Sequence, residues 1–211
     1  MGSPIIVIEH LEEALSPWLI LEYRHASAIA GRENLVFTNV PPNYTRLLSR
    51  YGRVVNESVV RLVKSGVLKA SEVIILDPNA SRRIEYEDFL RARYFVVGGI
   101  LGDHPPRGRT YANITSKLPE CEARNIGEQQ FSIDGSVYYI MYLFRNRGIA
   151  GLGFVDGVTV ETDHGYVYLP YRYPLVEGRP LLAPGLEYYI KYRRLPPEIA
   201  EEIYGEGSRE K

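Results

Sequence analysis

The sequence predicts an α/β protein with a mostly parallel sheet and helices on both faces. Short apolar runs recur at residues 5–8, 35–39, 73–77 and 94–97, and runs without polar alternation suit strands covered on both sides. Between them lie segments with helix-start and helix-stop chemistry, and strands alternating with helices make parallel sheets. The run at Tyr94 leads straight into Gly98-Gly99 and then into charged residues. Ligands in such sheets sit outside the carboxyl ends of the strands.

Taken in order, Pro4 precedes the first strand and Glu9-His10 stands at its carboxyl end. Ser16-Pro17 opens a helix with a preferred N-cap and first-turn proline, Trp18, Leu21 and Ile29 supply packing, and Gly31 closes it. Pro41-Pro42 ends the second strand, after which Asn43 caps a helix reaching Tyr51, with Gly52 as its stop. Asn56 caps another helix through Lys64, stopped at Gly66. Pro78 cuts the third strand, and residues 85–91 form the helix before Tyr94. Residues 109–123 have no strong period. A short strand at residues 123–127 runs into a second glycine turn at Gly127, and Val137, Ile140, Met141 and Phe144 recur at helical spacing within a helix over 132–146. Two strands, 154–161 and 166–169, flank a turn at Asp163-His164-Gly165. A stiff aromatic loop follows, Leu169-Pro170-Tyr171-Arg172-Tyr173-Pro174. A helix from Pro184 to Tyr192 is broken by Pro196-Pro197, and a short acidic helix near residues 198–204 leads to a polar tail. The expectation is one domain over residues 1–204 with a disordered tail at 205–211.

Composition narrows the function. The chain has 211 residues, 45% of them hydrophobic and 24% charged, as in soluble globular proteins. No apolar run is long enough to span a bilayer, and the first residues lack the basic and apolar regions of a secretory leader, so a cytoplasmic address is expected. The net charge of −1 argues against wholesale nucleic-acid wrapping, although 20 Arg against 5 Lys leaves room for a local arginine patch. Cys121 is the one cysteine, and His10, His25, His104 and His164 share no metal-ligand spacing with it, so no metal is expected.

The segment Gly98-Gly99-Ile100-Leu101-Gly102-Asp103-His104-Pro105-Pro106-Arg107-Gly108-Arg109-Thr110 has the character of a ligand loop. Glycines let a ligand approach the backbone, and the proline pair holds the next residues extended. This motif, with Arg124-Asn125-Ile126-Gly127 and Gln129 and then Leu169-Pro170-Tyr171-Arg172-Tyr173, resembles the archaeal and fungal branch of the SPOUT methyltransferases. That branch includes a fungal enzyme that methylates an arginine of a small-subunit ribosomal protein. The resemblance runs in order over roughly residues 5–190.

What the resemblance implies is a C-terminal trefoil knot and three loops holding S-adenosylmethionine. Its cofactor residues would be Gly98, Gly99, Ile100, Leu101 and Gly102 in the first loop, Arg124, Asn125, Ile126, Gly127 and Gln129 in the second, and Leu169, Pro170, Tyr171 and Arg172 in the third. A phosphate loop is missing from the sequence, and S-adenosylmethionine has no phosphate to cradle.

Methyl transfer needs positioning and a proton acceptor. Asp103 is the first candidate because it directly follows the glycine turn, with Asp134 and Glu128 behind it. For Asp134, ordinary first-turn placement on a helix is the better explanation. An arginine guanidinium has a pKa above ~12, so deprotonating it fully at pH 7 costs about 7 kcal/mol, and carboxylates must hold its charge. Were the acceptor RNA, Arg107, Arg109 and Arg172 would meet phosphates instead. His104, Arg107, Arg109 and Tyr173 are the candidate substrate contacts.

The leading expectation is therefore an S-adenosylmethionine-dependent methyltransferase acting on the translation machinery, on a ribosomal-protein arginine or else on ribosomal or transfer RNA, as a monomer or homodimer. The alternative is a non-catalytic knotted module that binds the cofactor or the ribosome. A nucleotide hydrolase using Asp103 with a metal is weaker, lacking both a phosphate loop and a second clustered carboxylate.

Overall fold

The computed structural model describes residues 2–102, 105, 107–149 and 151–205. Its strands and helices follow one another as β1 (Ile5–His10), α1 (Pro17–Ala30), β2 (Leu35–Thr38), α2 (Pro42–Leu48), β3 (Arg53–Val54), α3 (Val59–Lys64), β4 (Val73–Leu76), α4 (Asp88–Arg91), β5 (Tyr94–Gly99), α5 (Arg109–Asn113), β6 (Glu122–Arg124), α6 (Ile133–Arg145), β7 (Phe154–Thr162), β8 (Gly165–Val176), β9 (Arg179–Pro180), α7 (Leu186–Tyr192) and α8 (Pro197–Tyr204).

The first six strands form one sheet in the order β3-β2-β1-β5-β4-β6, and every pairing is parallel. Side chains alternate across it: Ile6, Ile8, Ile74, Leu76, Phe95 and Val97 join one buried cluster with residues of α1 and α6. Val7, Val73, Ile75 and Val96 join another with Val59 and Val63 of α3 and with Ile114 and Leu118. Helices therefore cover both faces, as the unbroken apolar runs predict.

The local signals hold best where side chains cap helices. The Ser16 hydroxyl accepts the Leu19 N–H at 3.2 Å and Pro17 is the first helical residue. Gly31 ends α1 with φ +86°. Two caps fall elsewhere than expected: α2 starts at Pro42 after Pro41, and Ser58 rather than Asn56 caps α3. Asn56 instead donates its side-chain amide to the Val40 carbonyl at 2.7 Å. Two short elements, β3 and α5, had no sequence signal, being too brief to display a period.

The expected aromatic loop at residues 169–173 is a strand. These residues lie within β8, which pairs antiparallel with β7 from Thr162–Gly165 to Phe154–Pro174. Val167, Leu169, Tyr171 and Tyr173 pack inward with Ile20 and Leu21 of α1 and with α7 and α8, so the period-2 alternation continues through Pro170, a residue a sheet margin tolerates. Helix α1 thus serves both sheets, through Leu19 and Tyr23 on one side and Ile20 and Leu21 on the other.

Candidate functional site

A cavity of about 340 Å³ opens at the carboxyl ends of β4, β5 and β6. Position follows from topology. The chain leaves β4 for β5 on one side, then leaves β5 for β6 on β4's other side, so the departing segments diverge and leave a crevice. Its walls are drawn from residues 76–79 at the end of β4, from Gly98, Ile100, Gly102 and residues 107–110 at and after the end of β5, and from residues 126–136 after β6.

Each wall is fixed by short-range chemistry. Pro78 ends β4, and the buried Asp77 carboxylate accepts the Asn79 N–H at 2.9 Å and the Thr115 hydroxyl at 2.6 Å, a tight Asx turn. In the second wall a Cβ on Gly98 would sit 2.9 Å from Thr110 Oγ1, and one on Gly102 would strike the Gln130 amide and the Tyr171 ring. The third wall turns at Gly127, φ +131°, a conformation L side chains rarely adopt. Asn125 stitches the first and third walls: its amide donates to the Ala80 carbonyl at 2.7 Å and its oxygen accepts the Gly127 N–H at 3.1 Å. Ser132 then caps α6, and Ile133 and Ser136, one turn apart, face the cavity.

Behind Ile133 lies a buried acid cluster. The Ile133 N–H donates to Glu22 Oε2 at 2.9 Å, and the indole N–H of half-buried Trp18 donates to Glu22 Oε1 at 2.7 Å. Glu22 is 2% exposed and Asp134 is 1% exposed. Burial, and after it the Asp134 carboxylate, pushes the Glu22 carboxyl up to about 8, so it holds its proton at neutral pH. Asp134 Oδ2 is 2.7 Å from His25 Nδ1 and its Oδ1 accepts the Gly135 N–H at 2.9 Å. Tyr173 completes the cluster with a buried hydroxyl that has no hydrogen-bond partner among the described residues. Burial and the two carboxyl groups raise that phenol above its usual range.

Of the residues singled out from the sequence, Gly98, Ile100, Gly102, Arg107, Arg109, Ile126, Glu128 and Gln129 line the cavity. Others support it from outside. Gly99 faces away, where a Cβ would meet the Tyr23 hydroxyl, the Glu9 carbonyl at 2.8 Å and Ile8 Cγ2 at 3.0 Å, so this glycine serves strand packing. Leu101 turns its main chain to Glu12 and Arg109. Arg124 is buried in ion pairs with Asp88 and Glu122, which tie β6 to α4. Leu169 and Tyr173 are core residues of β8, Pro170 lies between them, and Arg172 pairs with Asp156 at 2.6 Å. Tyr171 reaches the cavity edge, donating its hydroxyl to the Gly102 carbonyl at 2.8 Å. The third wall expected at 169–173 is thus supplied by residues 76–79. Asp103 and His104 lie outside the described residues. Among the described residues no three His, Cys, Asp or Glu side chains converge as metal ligands would.

Sequence reasoning missed Asp77, Pro78, Asn79, Gln130, Phe131 and the acid Glu22. Two signals were available: Asp77-Pro78 closes a buried strand just as Gly98-Gly99 does, and Glu22 interrupts the apolar run Leu19-Ile20-Leu21-Tyr23 four residues after Trp18.

A family model described as protein arginine N-methyltransferase SFM1-like matches residues 5–194. Among curated proteins, protein arginine N-methyltransferase SFM1 of Saccharomyces cerevisiae is 33% identical over 201 residues, covering 88% of this chain and 93% of that one. The crystal structure of the yeast enzyme complexed with SAM superimposes with a TM-score of 0.79 at 30% identity, covering 92% of each chain. A dual-specific Trm10 from Thermococcus kodakaraensis has a TM-score of 0.52 at 14% identity, covering 68% of this chain and 94% of that one, a likeness of fold alone.

Proposed function

Because the chain belongs to the SFM1-like family of protein arginine N-methyltransferases, we propose that it transfers a methyl group from S-adenosylmethionine to an arginine side chain of a protein. The observation that carries this is the cavity at the carboxyl ends of β4, β5 and β6 with a sealed pair of acids one residue behind its wall. The cavity volume of about 340 Å³ suits a small organic ligand. Leu76, Val97, Ile100 and Ile126 offer apolar surface to a base, while Asn79, Arg107, Thr110 and Gln129 offer polar contacts to a ribose and an amino-acid end. When bound, the cofactor supplies an electrophilic methyl on a sulfonium.

The acceptor needs anionic groups for its guanidinium, and Glu22 and Asp134 provide them. Trp18 is only half-buried while Glu22 is buried, and in this reading a guanidinium takes the place of the indole N–H on Oε1. An arriving cation favours the ionised form of Glu22, so the proton on that carboxyl leaves as the arginine binds. Tyr173, whose hydroxyl is otherwise unpartnered among the described residues, gains a partner in the same step. As the N–CH3 bond forms and the S–CH3 bond breaks, one guanidinium proton must depart, and Asp103, directly after Gly102 in the sequence, with Glu128 in the cavity wall, are the candidate acceptors. Acids in this position, together with a net charge of −1, favour a protein substrate over RNA, and a protein of the translation machinery is the target we assign. The chain threading expected of a SPOUT protein belongs to this reading.

Incubation with S-adenosylmethionine carrying an isotopic methyl group and ribosomal proteins from a strain lacking the gene tests it. Label on an arginine, located by mass spectrometry, supports the proposal. Label on rRNA alone, or none on any component, sinks it.

A further inference from the structure

Glu12, a carboxylate on the segment between β1 and α1, bonds both Leu101 and Arg109. We infer that Glu12 is a positioning residue of the cavity, holding Leu101 and Arg109 where their lining neighbours can accept the cofactor. This rests on the proposal that S-adenosylmethionine occupies the cavity.

Glu12 Oε1 accepts the Leu101 N–H at 2.9 Å and the Arg109 Nη2 at 3.1 Å. The same Arg109 nitrogen donates to the Leu101 carbonyl. Both main-chain groups of Leu101 are therefore engaged within the protein, while Ile100 and Gly102 on either side line the cavity. Arg109 is the first residue of α5, so one carboxylate joins the residue two places after β5 to the start of that helix. The brace extends down β1: Leu11 donates its N–H to the Gly99 carbonyl at 3.2 Å, continuing the β1–β5 ladder past the sheet. The pair is partly shielded, the Arg109 and Glu12 side chains being 30% and 24% exposed. Charge matters as well as shape. Arg109 lines a cavity proposed to take a sulfonium cation, and the adjacent Glu12 carboxylate offsets its repulsion.

Glu12→Ala, Glu12→Gln, Arg109→Ala and the Glu12→Ala/Arg109→Ala double variant test this by calorimetry with S-adenosylmethionine and by steady-state kinetics. Glu12→Ala is expected to raise the cofactor Kd about tenfold or more, the loss typical of a hydrogen bond to a charged group. Glu12→Gln, which keeps an acceptor for Leu101, should lose less. The change should fall on the cofactor KM more than on kcat, and the double variant should lose less than the sum of the single ones, as contacting residues do. A Kd within twofold of wild type in Glu12→Ala overturns the inference, as does an equal fall in kcat and KM accompanied by a lowered Tm. Failure of the functional proposal looks different, since wild-type protein would then bind no cofactor. The clamp is decided in that case by hydrogen exchange, where unchanged protection of the Leu101 amide in Glu12→Ala overturns it.

Discussion

The cavity beyond the parallel sheet and the acid cluster behind α6 are adjacent, sharing Ile133, yet they are built from opposite materials. The cavity is made of turns: glycines at 98, 102 and 127, an Asx turn at Asp77, and walls stitched by Asn125. The cluster is made of acids in the dark, with Glu22, Asp134 and Tyr173 buried among α1, α6 and β8. The difference teaches how such a protein divides its labour. A ligand gripped by backbone and apolar surface needs space, and small residues provide it. A cationic acceptor needs acid, and burial raises the pKa of the Glu22 carboxyl and so stores a group that ionises when a cation arrives.

The contrast can be broken most severely at Gly102. A valine there collides with Gln130 and Tyr171, and overpacking typically costs about 1–3 kcal/mol, so cofactor affinity should fall roughly tenfold to hundredfold in calorimetry. Gly99→Val makes the matching control. Its clash is with Tyr23 and the Glu9 backbone, so it should lower Tm through the sheet while leaving the cavity lining in place. Equal effects of the two valines on affinity at unchanged Tm would undo the distinction between lining and support.

Glu22→Gln removes the cluster's capacity to ionise at this carboxyl without removing bulk. We expect methyl transfer to fall about tenfold to hundredfold, the scale of one charge-assisted hydrogen bond of about 1.5–3 kcal/mol, with cofactor affinity retained. Loss of cofactor binding with intact turnover at saturation would place Glu22 on the cavity side instead.

A smaller effect follows from linkage. The folded-state pKa of Glu22 is raised from 4.5 to about 8, so between those values the folded protein binds more protons than the unfolded chain. Stability therefore falls as pH rises through that window, with a slope of at most about 1.4 kcal/mol per pH unit from this group. Denaturant titrations at pH 5 and pH 8 measure it, and Glu22→Gln should flatten the difference. Binding of an arginine peptide at pH 7 should release a proton from wild type but not from the variant, read as the dependence of calorimetric heat on buffer ionisation enthalpy.

The finest distinction concerns Tyr173. Removing a buried hydroxyl that lacks a partner among the described residues relieves an unmet desolvation cost of about 1–3 kcal/mol, so Tyr173→Phe should leave the free protein as stable or slightly more so. A lowered Tm would mean that the hydroxyl bonds within the protein. Weaker binding of an arginine peptide at unchanged Tm would tie the hydroxyl to the acceptor.

The legible part of the site was what neighbours in sequence create. Ser132 before Ile133-Asp134-Gly135, Gly98-Gly99 after an apolar run, and Gly127 after a short strand are local statements about capping and turning, and the structure keeps them. The loop expected at 169–173 failed because Pro170 suggested a break, whereas pairing with β7 and packing on α1 carried the strand through it. Gly99 and Gly102 look alike as letters. They differ only because alternation along β5 turns one toward Tyr23 and the other toward Gln130.

By itself, then, the chain determined its layers, most of its helix starts and two of the three cavity walls, because periodicity and capping act over a few residues. Only the tertiary structure decided that residues 76–79 supply the remaining wall, that Glu12 meets Leu101 across 89 positions, and that Glu22 meets Ile133 across 111 positions of chain. Those contacts depend on β4 lying between β5 and β6 and on α1 packing against α6, a placement set by the burial of whole faces, which no local signal encodes.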